Sequence, residues 1–96
     1  MKGTIQYLDA LSNHLGVNSD YALAQALGIT RFTVSKYRRG VSGFSDDVAL
    51  RVADLLNRPR GEVIIAIQAE RARHSHNLPV ADALADYLSK LGGMAA

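Results

Sequence analysis

The stretch from Ser19 to Gly40, SDYALAQALGITRFTVSKYRRG, constrains the fold more than any other part of the chain. It divides into two short blocks, each opening on a hydroxyl residue and closing on a glycine. Ser19 can accept a hydrogen bond from a backbone N–H two or three residues on, which starts a helix. Gly28 follows Leu27 where that helix must stop, because glycine enters the left-handed backbone of a helix end at little steric cost. Thr30 caps a second helix running to about Arg39, and Gly40 ends it.

The apolar spacing explains how two such short helices hold together. Leu23, Leu27, Ile29, Val34 and Tyr37 are placed to meet between the two helices and a third element, and Ala24 is small where the helices cross. Val34 and Tyr37 form an i, i+3 pair on one face of the second helix. Arg31, Phe32, Ser35, Lys36 and Arg39 fall on the opposite face as a single stripe. A basic stripe on a helix usually means only a solvated surface. Here it sits on the second helix of a helix-turn-helix, the unit whose second helix can enter the major groove of DNA.

The remaining chain reads as helix throughout, so the expected fold is all-α. Ile5, Leu8, Leu11 and Leu15 predict a helix over 4–15, broken by Gly16-Val17-Asn18. After the loop at Val41-Ser42-Gly43, Ser45 caps a fourth helix. Asp46 and Asp47 sit in its first turn, where the helix dipole favours acids, and Val48, Val52, Leu55 and Leu56 are its buried stripe. Asn57 ends it. Pro59 opens a fifth helix carrying Val63, Ile64 and Ile67 inward to about Arg73. A polar break at His74-Ser75-His76-Asn77 precedes a sixth helix from Pro79 to about Leu91, with Val80, Leu84, Tyr87, Leu88 and Leu91 on one side. The domain division is therefore 1–73 for the DNA-binding unit, 77–91 for a C-terminal helix that can mediate dimerisation, and 92–96 for a flexible tail.

Composition narrows the function. The 96 residues suffice for one domain, and the 48% apolar content supports one core without staples. The chain has no cysteine, which excludes disulfides, thiol catalysis and cysteine-based zinc sites. No G-x-S-x-G or phosphate-cradling glycine run is present, so an enzyme is not expected, nor is a cofactor. The pair His74 and His76 suggests no third metal ligand. The start lacks the pattern of a signal peptide and no apolar run approaches a membrane span, so a cytoplasmic protein is expected. The net charge is only +2, but its placement is uneven. Thr30 to Gly40 holds four bases and no acid, whereas from Val41 onward six bases face seven acids.

The segment ALGITRFTVSKYRRG resembles the Cro/CI-type, or lambda-repressor-like, helix-turn-helix family through Ala24, Gly28, Thr30, Val34, Tyr37 and Gly40. The resemblance extends over roughly residues 4–70 as a five-helix domain, and the family consists mostly of small bacterial and phage transcription regulators. It implies that Arg31, Phe32, Ser35 and Lys36 face base edges. Arg31 would suit a bidentate contact to guanine and Lys36 a guanine or a phosphate. Phe32 would either meet a thymine methyl, fold back onto Tyr21 or Val41, or help a dimer contact. Thr30, Arg38, Arg39 and Ser42 would hold phosphates, which position the protein without reading sequence. Arg58 and Arg60 read as ordinary surface charge.

Two positions depart from the family pattern. Asp20 stands where many relatives have a glutamine that bonds both a phosphate and the recognition helix, and Phe44 stands where a proline is common. The function implied is a repressor binding double-stranded DNA as a homodimer on a palindromic operator. The sixth helix and Ile65 are the expected dimer elements, and deletion of 77–96 should leave a folded monomer. An antitoxin, a phage excision or replication accessory, and a protein-interaction module that has lost DNA binding remain alternatives.

Overall fold

The computed structural model describes residues 3–95, with side chains through Leu91. It contains six helices: α1 (Thr4–Leu15), α2 (Asp20–Leu27), α3 (Arg31–Arg38), α4 (Asp46–Leu56), α5 (Arg60–His74) and α6 (Leu78–Ala95). The described residues form no strand, as the periodicities predict. Ser19, Thr30 and Ser45 cap their helices as expected, each hydroxyl accepting from the backbone N–H three residues on. Pro59 stands one place outside α5 rather than in its first turn.

The first five helices stop in the same way. Gly16, Gly28, Gly40, Asn57 and His76 all adopt positive φ. The N–H of the next residue then reaches back five positions: Val17 to Ser12, Ile29 to Ala24, Val41 to Lys36, Arg58 to Ala53 and Asn77 to Ala72, at 2.8–3.1 Å. This is the Schellman arrangement, which satisfies carbonyls left over at a helix end. His76 is thus the stop of α5, and the histidine pair marks a turn. Gly28 has a second constraint, because a Cβ there would come within 2.4 Å of Arg51 Nη1, whose guanidinium donates to the Leu27 carbonyl.

The core joins α1 to α5 around Leu8, Leu11, Leu23, Leu27, Tyr37, Phe44, Val52, Val63 and Ile67. The expected stripes are right in position but not in every member. On α1, Ile5 and Leu15 are more than a third exposed, and Tyr7 and Thr4 are buried instead. On α4, Ala49 and Ala53 are buried while Leu55 and Leu56 are half-buried. A small residue disappears into a close helix crossing, whereas leucine at the margin covers the seam.

Helix α6 lies along α5 of the same chain. Buried Ala69, Ala72 and Ala81 lie outside the main core cluster and form this seam, flanked by half-buried Leu84, Ala85, Leu88 and Leu91. Val80 and Tyr87, expected on one side with Leu84, Leu88 and Leu91, are 44% and 54% exposed. The helix also continues to Ala95, so most of the tail expected over 92–96 is helical backbone, with residue 96 outside the described residues.

Candidate nucleic-acid interface

Helix α3 owes its orientation to its buried side. Val34 is fully buried and Tyr37 nearly so, with the Tyr37 ring edge-on to Phe44 at 5.0 Å between centroids. Burial pushes the Tyr37 phenol above its usual pKa, which fits a core role. Phe44 resolves the departure from the family's proline. Its ring is in the core, its N–H donates to Thr4 Oγ1 at 3.1 Å, and its carbonyl accepts from Arg71 Nη2 at 2.9 Å. A proline could not make the first of these bonds.

Behind that loop stands Glu70 of α5. Its carboxylate accepts from the Thr4 N–H at 2.8 Å and from Thr4 Oγ1 at 2.6 Å. The start of α1, the loop after α3 and the end of α5 are therefore tied at one point. Ser42 is exposed on this loop, beside an open recess of about 360 Å³ lined by Gly40, Gly43, Glu70 and His74.

The outward side of α3 carries the expected base-reading group. Arg31 and Phe32 are exposed at its start, and Ser35 and Lys36 are partly exposed one turn on. Phe32 is 67% exposed and does not fold back onto the core. Instead Lys36 Nζ lies 5.1 Å from its ring centroid. Arg31 has a partner that the sequence reading did not assign to it: its guanidinium carbon lies 5.5 Å from the centroid of the Tyr21 ring on α2. These are distances at which a cation is attracted to an aromatic face.

The residues expected to hold phosphate are less alike than the sequence suggested. Thr30 Oγ1 accepts from the Thr33 N–H at 3.1 Å and pairs with the Thr33 hydroxyl at 3.0 Å. Arg39 is exposed, with Nε donating to the Ser35 carbonyl at 3.4 Å. Arg38 is held between carboxylates, with Nη1 at 2.7 Å from Asp9 Oδ1 and Nε at 3.5 Å from Asp20 Oδ1. Thr30 to Gly40 contains no acid, yet the fold brings one from α1 and one from α2 to its basic end. Asp20 thus reaches the recognition helix, as the family's glutamine does, but through charge. Arg58 and Arg60 pair with Glu62 and Asp54 at 2.7 Å, as surface charges do.

Residues 19–63 match the family described as helix-turn-helix. The match covers just under half of the chain and supports a Cro/CI-type helix-turn-helix DNA-binding protein. It likewise supports a DNA-binding transcription regulator. No curated protein and no solved structure gives a significant match to the chain. Among the described residues no helix is long and apolar enough to cross a membrane, and no group of three or more histidine or acidic residues could hold a metal ion.

Proposed function

We propose that this helix-turn-helix protein is a sequence-specific repressor in the cytoplasm of a bacterium, of phage or prophage origin, binding a palindromic operator as a homodimer. The observation that carries the reading is the two-sidedness of α3: Val34 and Tyr37 are buried, while Arg31, Phe32, Ser35 and Lys36 lie together on the outward side. Arg31 reads guanine through a bidentate contact, Phe32 meets a thymine methyl, and Ser35 and Lys36 read the bases one helical turn along. Thr30, Arg39 and Ser42 contact phosphates, while Arg38, expected to join them, stays with Asp9 and Asp20. The phage or prophage setting follows from resemblance to a family made mostly of small bacterial and phage regulators.

One domain makes few base contacts, so a dimer on half-sites about 34 Å apart supplies the specificity. Val80 and Tyr87 are the outward apolar residues of α6 that support a dimer contact. Because α6 also packs on α5, changing Val80 and Tyr87 to glutamate is a cleaner test than deleting the helix. The variant should be monomeric in sedimentation and bind a palindrome far more weakly than the parent.

The decisive experiment is selection of bound duplexes from a random-sequence pool at physiological salt. A two-fold-symmetric motif supports the repressor reading. Binding without a motif supports an accessory, architectural role, and absence of binding favours a protein partner.

A further inference from the structure

We propose that Tyr21 is a positioning residue for Arg31, and that the two side chains act together as the guanine-reading element. This rests on the reading that α3 enters the major groove. Arg31 stands at the first position of α3, where a long flexible side chain can reach either a base edge or a neighbouring phosphate. The Tyr21 ring, contributed by the first turn of α2, lies 5.5 Å from its guanidinium carbon. The ring itself is held from one turn along α2, because Gln25 Nε2 donates to Tyr21 Oη at 2.9 Å. A guanidinium drawn to an aromatic face is restrained there while its outer N–H groups can still bond elsewhere. Those outer groups are what a bidentate contact to guanine O6 and N7 uses. Without the ring the guanidinium is free to take a phosphate instead, which holds DNA equally well but reads nothing.

The consequence is a loss of discrimination without a loss of electrostatic attraction. Duplexes from the selection, with guanine or another base at the Arg31 position, are titrated with the parent, Y21F, Y21L and R31A at several salt concentrations. Melting temperatures are recorded for each variant. Y21L, which keeps apolar bulk without the aromatic face, should lower the preference for guanine by about two- to fivefold. The salt dependence of binding should not change. Y21F retains the ring and should retain most of the preference.

Three results overturn the proposal separately. If R31A flattens one position of the motif while Y21L discriminates there like the parent, Arg31 reads guanine without Tyr21, and only the positioning role is lost. If R31A leaves every position of the motif unchanged, or no motif is selected, the groove reading of Arg31 itself fails and the proposal falls with it. A Y21L variant that loses affinity equally for all duplexes, with a lowered melting temperature, shows a structural role and also overturns the proposal.

Discussion

Replacing Asp9 and Asp20 together by asparagine should convert Arg38 from an internal ion-pair partner into a phosphate contact. In the free protein its guanidinium lies 2.7 Å from one carboxylate and 3.5 Å from the other. All three side chains are about a third exposed or more, so the pairs themselves stabilise the fold by only about 0.2–1 kcal/mol each. The effect on DNA is larger, because each neutralised phosphate adds about 0.9 to the slope of log affinity against log salt. Over a fourfold rise in salt, from about 50 to 200 mM, one added contact costs a further factor of 4 raised to 0.9, or about 3.5.

The assay is fluorescence anisotropy with a labelled operator duplex across that range. The double variant should bind more tightly than the parent at low salt and show the steeper slope. R38A should leave the parent's slope almost unchanged but remove the added 0.9 or so from the double variant. The argument is refuted if R38A flattens the slope in the parent itself, because Arg38 would then already be engaging phosphate despite the carboxylates.

Four further outcomes follow from other parts of the fold. Thr4→Val leaves the buried Phe44 N–H without its acceptor and removes a bond to Glu70, so stability should fall by about 1–3 kcal/mol in urea titrations. His76→Gly relieves a non-glycine residue at φ 59° and should raise the melting temperature, by about 4–8 °C for each kcal/mol gained. Burial, with the Glu62 charge second, pushes the Tyr7 phenol up to about 12, so it favours the folded state fully below about pH 10 and progressively less as pH rises toward 12. Tyr7→Phe should therefore flatten the alkaline loss of stability in that window, followed by circular dichroism. Replacing thymine by deoxyuridine opposite Phe32 should weaken parent binding but leave the Phe32→Ala variant unaffected, as a methyl contact requires.

The sequence exposed most of the fold because its signals were local. Ser19, Thr30, Ser45, Gly16, Gly28, Gly40 and Asn57 each start or stop a helix through groups within a few residues. The basic stripe on α3 was likewise legible from spacing alone. What the sequence hid was contact between distant segments. Nothing near Arg38 announces Asp9, twenty-nine residues away, as its partner. Tyr21 precedes Arg31 by ten residues, and only the crossing of α2 and α3 places its ring beside the guanidinium. Thr4 looked like an ordinary helix start, and its burial depends on Glu70. The α6 stripe was misjudged in detail because an apolar side chain reveals burial only when its covering element is known. Ala81 fits beneath α5, and the larger Val80 remains outside.

The tie between Thr4 and Glu70 joins residues 66 positions apart. During synthesis the recognition helix leaves the ribosome well before the residue that fastens the loop behind it. Its capping, local bonds can form early, but the clasp closes only when α5 has emerged. The segment 19–63 that carries the family signature lies wholly inside this clasp and contains neither of its ends. The stretch that matches the family is therefore shorter than the stretch that must be made before the loop after α3 acquires all its anchors.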